Sequence, residues 1–280
     1  MSKRGSPLQY IAAHTVAEAI ALIGNGGTVL AGGTTVVPHL LDDLRSGTFI
    51  DITKIRDLRA VQDSGKDIQI GAAVTLERAA EVLAVHPSLR AAWQAACAIG
   101  NPHIRRLATV GGNICAGEGQ VKDLATALIA LDGRVTVAHA NGTDTMAVAA
   151  FLAGVASASR LITAVAIPIS GGRRSSFARS AWRRTSAAPI LNVAAAARIA
   201  DGRLHDVRIA VGGTAIIPVR IPMAEKVLEG QVLNAAKLAE AAATCARATP
   251  VHRLTFTTAD YVRSVLATVM RDVISELQAA

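Results

Sequence analysis

Apolar residues recur at helical spacing near the start of the chain and then in short runs separated by glycine. Thr15 and Glu18 form a T-x-x-E capping box, which is typical of the start of a helix. The predicted helix has an apolar stripe formed by Val16, Ala19, Ile20 and Ile23. Residues 25–27, Asn-Gly-Gly, end this helix, and a strand over 28–31 follows. The chain therefore opens with alternating helices and strands.

The alternation continues to about residue 168. The pattern predicts further strands over 49–52, 67–71, 134–138 and 161–167, and helices over 36–44, 76–83, 88–98 and 123–131. Two glycine-containing loops are predicted between these elements, at 32–35 and at 109–113. Residues 168–176 are rich in Gly, Ser and Arg, and they form the predicted domain boundary.

Beyond this boundary the order of elements changes. Three successive strands are predicted over 177–181, 190–199 and 204–211, with Asp201-Gly202 as the hairpin turn between the last two. Helices over 224–228, 234–246 and 257–277 close the chain. The last of them has an apolar face formed by Val262, Val265, Leu266, Val269, Val273 and Leu277. A three-stranded antiparallel sheet followed by helices predicts a small α+β domain.

The charge balance suits an anionic partner. The 280 residues carry 29 Lys and Arg against 21 Asp and Glu, which gives a net charge of +8. Nucleic-acid binding is one hypothesis that rests on this charge alone, but aromatic residues make up only 3%, so few rings could stack on bases. No apolar run approaches the roughly 20 residues of a membrane span. No signal peptide is recognisable either, so we expect a cytoplasmic protein.

Motifs for hydrolytic or metal chemistry are missing from the sequence. Cys97, Cys115 and Cys245 form no C-x-x-C pair, which disfavours structural zinc and a self-ligated iron–sulfur cluster. There is no G-x-S-x-G, no P-loop and no convincing carboxylate pair, so we predict neither a catalytic nor a metal-binding residue. Residues 117–119 begin a G-x-G-x-x-G motif, but Lys122 occupies the place of its third glycine, which disfavours a Rossmann domain.

The two glycine segments are the strongest candidates for a binding site. The first reads L-A-G-G-T-T over 30–35, and the second reads T-V-G-G-N over 109–113. Glycine lets backbone N–H groups approach a ligand closely, and successive N–H groups can form an anion-binding concavity. Together the two segments could hold the two phosphates of a dinucleotide.

These segments also carry a family resemblance. The sequence AGGTT, then IGNPHIRRLATVGGNI, then DLATALIALDG resembles the FAD-binding medium subunit of the molybdenum hydroxylases, which are the carbon monoxide dehydrogenase-like and xanthine dehydrogenase-like enzymes. The resemblance continues beyond Pro168, through Phe177-Ala178-Arg179 and the Arg183-Arg184 pair. It implies an α+β fold with a two-subdomain FAD-binding domain of the vanillyl-alcohol-oxidase (PCMH) type over 1–170, with subdomains of about 1–55 and 56–170. A C-terminal α+β domain over 171–280 would follow.

The resemblance also implies which residues bind FAD. They are Leu30, Ala31, Gly32, Gly33, Thr34, Thr35, Val36, Thr109, Gly111, Gly112, Asn113, Asp123, Ile162 and Arg179. Asp123 would accept a hydrogen bond from a sugar hydroxyl, and Ile162 and Arg179 would lie near the isoalloxazine. The chain departs from the family pattern at Thr35, in the longer loop ICAGEGQVK over 114–122, and in lacking an Asp over 185–188.

The implied function is electron transfer within a complex. A small subunit with two [2Fe–2S] clusters would deliver electrons, and a large molybdopterin subunit would oxidise the substrate. The FAD of this chain would then pass the electrons to an external acceptor. A dimer of heterotrimers is the expected assembly. The alternative is a stand-alone flavin-dependent reductase on the same fold, similar to the enolpyruvyl-UDP-acetylglucosamine reductases.

Overall fold

The computed structural model describes residues 8–38, 47–117, 120–154, 159–183, 189–215, 217–252 and 257–279. These residues form three β-sheets with helices packed around them, so the fold is a mixed α and β fold. The predicted elements outside these ranges include most of the helix over 36–44, of which only the turn at 36–38 is described. Residues 185–188, where the family pattern has an Asp, also lie outside them.

The first sheet is parallel and has the order β1-β3-β2. Its strands are β1 (Leu8–Ala12), β2 (Thr28–Leu30) and β3 (Gly47–Asp51). Helix α1 (Val16–Gly24) connects the first two. The capping box is confirmed, because Thr15 Oγ1 accepts a hydrogen bond from Glu18 N at 3.1 Å. The pattern did not predict β1, whose first three residues are exposed.

The second sheet is antiparallel, with the order β4-β5-β8-β6-β7. Its strands are β4 (Val61–Asp63), β5 (Asp67–Gly71), β6 (Arg134–His139), β7 (Gly142–Ala147) and β8 (Leu161–Pro168). In β5 the buried Ile68 and Ile70 alternate with the exposed Asp67 and Gln69, which is the period of two expected for one covered face.

Helices cover this sheet. They are α2 (Leu76–Leu83), α3 (Arg90–Ala98), α4 (Pro102–Arg105), α5 (Val110–Ile114), α6 (Asp123–Ala130) and α7 (Val148–Ala153). Every residue of α6 is buried, because this helix packs on the third sheet and shares a hydrophobic core with the second. The predicted helix over 88–98 begins instead with a 3₁₀ turn at Pro87–Leu89.

The third sheet is also antiparallel and has four strands in the order β12-β11-β10-β9. They are β9 (Arg173–Ala181), β10 (Pro189–Ala200), β11 (Arg203–Gly212) and β12 (Val219–Arg220). The three-stranded prediction missed β12, because two residues are too few to show a strand pattern. Asp201 and Gly202 both have positive φ, at +52° and +71°, as expected for the predicted hairpin turn.

Both faces of the third sheet are covered. Helices α8 (Pro222–Leu228), α9 (Ala235–Ala248) and α10 (Ala259–Ala279) lie after the sheet in the chain, and α9 and α10 share a core with one of its faces. On β10, Ala195 belongs to this core, whereas Ala194 and Ala196 belong to the core that contains α3 and α6. Alanine on both sides lets helices approach the strand closely. None of the helices in the described ranges is both long and apolar enough to cross a lipid bilayer.

Candidate functional site

The first glycine segment contains backbone donors that pair with no described residue. The N–H groups of residues 32–35 donate to no acceptor among the described residues. Gly33 has a φ of +70°, in the left-handed region that glycine adopts without strain, and its carbonyl accepts a hydrogen bond from Val37 N at 2.9 Å. Consecutive N–H groups of this kind form a concavity that can hold an anion.

Gly32 lets the first glycine segment contact the backbone that directly precedes the second segment. A Cβ added at Gly32 would lie 1.7 Å from the carbonyl oxygen of Leu107, two residues before Thr109. No side chain fits at that separation, so the backbones can approach only because residue 32 is glycine.

The second glycine segment is the short helix α5 and not the predicted loop. Thr109 is its N-cap and accepts a hydrogen bond from Gly112 N at 3.2 Å. The N–H groups of Val110 and Gly111 donate to Val74 and Ala72, each at 2.9 Å. These amides therefore already donate hydrogen bonds within the protein. The segment contributes Gly111 and Gly112, which have no side chain, to the wall of the cleft.

The two segments line one cleft of about 450 Å³. The predicted residues that line it are Ala31, Gly32, Gly33, Thr34, Thr35, Val36, Thr109, Gly111, Gly112, Asn113 and Ile162. Much of the remaining wall is apolar and includes Val29, Ile52, Ile99, Ile104 and Leu161. A largely apolar cleft with a few polar groups is the usual form of a cofactor site.

Leu30, Asp123 and Arg179 do not line this cleft. Leu30 lies at the end of β2, where its carbonyl accepts a hydrogen bond from Ile52 N at 3.0 Å. Asp123 is 2% exposed at the start of α6, and Arg179 lies on β9 beside a second hollow that includes Cys97.

Asp123 is held by two strands of the third sheet. Its Oδ1 accepts a hydrogen bond from Asn192 Nδ2 at 2.6 Å, and its Oδ2 pairs with Arg179 Nη1 at 3.1 Å. Burial raises the pKa of Asp123, and the bonds from Asn192 and Arg179 together with the charge of Arg179 offset only part of that effect. The next residue, Leu124, donates its N–H to Asn113 Oδ1 at 3.1 Å. Asp123 thus connects the third sheet to the end of the second glycine segment.

Sequence reasoning missed three polar residues of the cleft. Gln120 lies in the unusual loop ICAGEGQVK, and its Oε1 accepts a hydrogen bond from Thr35 Oγ1 at 3.2 Å. Cys115 has an exposed surface that faces the cleft, but protein surrounds the thiol on other sides, and this desolvation raises its pKa to about 11. The third is Arg160. The length of the loop was the only signal for the first of them.

The described lining is suited to binding. It contains no His, Asp or Glu, so this part of the cleft offers hydrogen-bond donors and apolar surface rather than an acid–base pair. Within the described ranges, no three His, Cys, Asp or Glu side chains come together as metal ligands.

Family models match nearly the whole chain. Residues 6–170 match the model described as the FAD binding domain in molybdopterin dehydrogenase. Residues 176–277 match the model described as the carbon monoxide dehydrogenase flavoprotein C-terminal domain.

Individual proteins are similar over most of their length. The nicotine 6-hydroxylase medium subunit of Paenarthrobacter nicotinovorans is 30% identical over 81% of this chain and 82% of that protein. The glyceraldehyde dehydrogenase medium chain of Sulfolobus acidocaldarius is 27% identical over 80% of this chain and 82% of that protein. A solved chain of carbon monoxide dehydrogenase from Hydrogenophaga pseudoflava has the same fold, with a TM-score of 0.90 over 98% of each chain at 22% identity.

Proposed function

Because the chain belongs to the FAD-binding subunits of the molybdenum hydroxylase family of oxidoreductases, we propose that its FAD binds in the cleft between the two glycine segments. The observation that carries this proposal is the run of N–H groups at residues 32–35, which have no acceptor among the described residues and belong to residues that line the cleft. We assign these groups to the diphosphate, because its oxygens carry the permanent negative charge of the cofactor.

The other predicted residues take different roles in this proposal. Gly111 and Gly112 give the cofactor a surface without side chains, and Ile162 with the apolar wall suits the ring system. For Asp123 and Arg179, the hydrogen bonds support a role in holding α6 and Asn113 in place from behind the wall. The N–H groups of residues 32–35, the two glycines and the apolar wall are the features that suit the cleft to FAD.

We further propose that the chain transfers electrons and does not act on the organic substrate. FAD supplies the electron-carrying chemistry when it is bound, and the protein positions it. The described lining of the cleft has donors but no carboxylate or imidazole to take a proton from a substrate, which supports this role. Electrons would come from [2Fe–2S] clusters of a partner and leave to an external acceptor.

The proposed partners are a small iron–sulfur subunit and a large molybdopterin subunit, in a dimer of heterotrimers. The names "medium subunit" and "medium chain" of the relatives support partners both smaller and larger than this chain. We also propose a two-subdomain FAD-binding domain of the PCMH type over 1–170 and a C-terminal domain over 171–280. The two matched ranges, 6–170 and 176–277, support a division there.

The test is the FAD content of the purified full-length chain. We expect flavin absorbance near one FAD per chain in the wild type and a loss of FAD in Gly33→Val and Gly112→Val. Valine at 33 would need a positive φ and would contact Val37. Valine at 112 would add a side chain to an exposed position of the cleft lining, with its Cβ 2.8 Å from Thr109 Oγ1. Gly171→Val is the control, because nothing lies within 4 Å of a Cβ there. Full FAD content in both cleft variants would contradict the assignment.

A second measurement separates an electron-transfer subunit from a stand-alone reductase. Purification from the native organism should yield the chain together with iron- and molybdenum-containing subunits. Isolation of the chain alone, with flavin reductase activity on a small substrate, would favour the stand-alone enzyme.

A further inference from the structure

Arg160 is the one charged side chain among the described residues that line the cleft. It directly precedes β8, whose first two residues, Leu161 and Ile162, line the same cleft. Every other described lining residue is neutral, so Arg160 sets the sign of the charge on this part of the wall.

Arg160 differs from arginines that have a structural role elsewhere in the chain. Arg179 pairs with Asp123 at 3.1 Å, and Arg208 pairs with Asp132 at 2.7 Å. Arg160 forms no ion pair with any carboxylate in the described ranges, and its side chain is exposed. Its charge is therefore available to a ligand.

The backbone at this position is also unusual. Ser159, the residue before Arg160, has a φ of +76°, which is rare for a residue with a side chain. Such conformations persist where the surrounding structure fixes them, and they occur often at ligand-binding positions. Here the positive φ of Ser159 lies directly before Arg160.

We propose that Arg160 binds the diphosphate of FAD and supplies the positive charge that complements the N–H groups of residues 32–35. Both groups line one cleft, and the diphosphate is the part of oxidised FAD that carries permanent negative charge. A guanidinium donates paired hydrogen bonds to phosphate oxygens, whereas the amides contribute only partial charges. This inference rests on the proposed FAD site and adds a specific residue to it.

The experiment compares three ligands on the full-length chain after removal of flavin. Dissociation constants for FAD, ADP and riboflavin are measured for the wild type, Arg160→Met and Arg160→Lys. We expect Arg160→Met to weaken FAD and ADP about tenfold or more, because a charge-assisted hydrogen bond is lost. Riboflavin has no phosphate, so its affinity should stay the same. Lysine keeps the charge and should give an intermediate loss for FAD and ADP.

Arg271→Met is the matched control, since it makes the same change in net charge on an exposed position of α10 that does not line the cleft. It should leave all three affinities unchanged. Added salt should weaken FAD binding more in the wild type than in Arg160→Met, because ions screen an exposed charge pair.

The outcomes separate this inference from the proposed function. Wild-type affinity of Arg160→Met for FAD and ADP would overturn the role of Arg160 and leave the FAD site intact. An equal loss for riboflavin would also overturn it, because the residue would then act on the ring. If the wild type bound neither FAD nor ADP, both proposals would be overturned.

Discussion

At the scale of single residues, the cleft depends on two positions that have no side chain. Gly32 lets the first glycine segment touch the backbone of Leu107, and Gly33 turns the chain through a positive φ. The N–H groups of residues 32–35 have no acceptor among the described residues, and these four residues line the cleft. Binding capacity therefore arises from backbone geometry, and the side chains of the segment add only hydroxyl groups.

Gly32→Ala should push the first glycine segment away from the backbone of Leu107. The added methyl group overlaps the carbonyl oxygen of Leu107, so one backbone must shift, and such overpacking costs about 1–3 kcal/mol. We expect a lower unfolding midpoint in urea and a faster release of FAD. Gly171→Ala, where the new Cβ meets no atom within 4 Å, should show neither effect. Wild-type stability and FAD retention in Gly32→Ala would disprove the close contact.

Cys115 reports directly on occupation of the cleft. Its thiol lines the cleft, and desolvation raises its pKa to about 11, so the reactive thiolate is scarce at pH 8 and labelling should be slow. The labelling rate should rise about tenfold per pH unit below that pKa. Peptide mapping after iodoacetamide treatment at pH 8.5 should show that FAD protects Cys115.

Cys97 is the internal control for this labelling. It is also exposed and burial raises its pKa too, but it lies in the second hollow and not in the cleft. FAD should leave its labelling unchanged. Equal labelling of Cys115 with and without FAD would place the cofactor elsewhere.

At the scale of elements, α6 depends on the strands beneath it. Its first residue, Asp123, is buried and pairs with Arg179 of β9 and Asn192 of β10. Gly212 of β11 allows this approach, because a Cβ there would lie 2.3 Å from Thr126 Oγ1. The helix is thus fixed at its start by the third sheet, and through Leu124 it fixes Asn113.

Removal of Arg179 should leave a buried carboxylate with one partner fewer. We expect Arg179→Met to lower the free energy of unfolding by about 3–5 kcal/mol, the usual cost of an uncompensated buried charge. The double variant Asp123→Asn/Arg179→Met should recover part of this loss, since the charge is then absent. Urea denaturation measures both changes.

The control for this pair is Arg78→Met. Arg78 pairs with Glu81 at 2.8 Å on the surface, where both side chains are mostly exposed, so its loss should cost less than about 1 kcal/mol. An equal loss of free energy of unfolding in both arginine variants would show that the pair at Asp123 stabilises the fold no more than an exposed pair does.

The sequence predicts long elements with a clear local pattern better than short elements that depend on tertiary contacts. The hairpin at Asp201-Gly202 and the strand at 161–167 carry clear local signals, and the structure contains both. Strand β12 is only two residues long. Helix α5 contains two glycines, which disfavour a helix, and it is held by the Thr109 cap and by hydrogen bonds to the carbonyls of Ala72 and Val74, which follow β5. Such elements exist because of tertiary contacts that no local pattern contains.

The same reasoning applies to the cleft. The two glycine segments could be found from the sequence because glycine pairs mark positions of unusual backbone. Arg160 and Gln120 could not, since each lies far along the chain from the first glycine segment, and neither belongs to a motif. Asp123 was predicted from the resemblance to bind FAD, but it does not line the cleft. Its partner Asn192 lies 69 residues away, and only the fold brings the two together.

At the scale of the whole molecule, the C-terminal helix contacts the part of the chain that carries the cleft. Glu276 of α10 pairs with Arg90 of α3 at 2.7 Å and accepts hydrogen bonds from Gln94 of α3 and from Ser176 of β9. Phe177 N also donates to Gln94 Oε1 at 2.8 Å. One carboxylate therefore joins three elements from distant parts of the chain.

This carboxylate should make the stability of the whole molecule depend on pH. Burial alone would raise the pKa of Glu276, but the hydrogen bonds from Ser176, Arg90 and Gln94 and the charge of Arg90 bring it below its ordinary value. A carboxylate with a lowered folded-state pKa stabilises the fold above its unfolded pKa of about 4.3, and this contribution is lost as the pH falls through the folded pKa. Glu276→Gln should therefore lower the free energy of unfolding by about 1–3 kcal/mol at pH 7. The difference between Glu276→Gln and the wild type, measured by urea denaturation, should shrink between pH 5 and pH 3.

Glu240→Gln is the control for this prediction. It removes an exposed pair with Lys237 and should change the stability little at any pH. A Glu276→Gln variant that loses stability in parallel with the wild type down to pH 3 would show that other carboxylates govern acid unfolding.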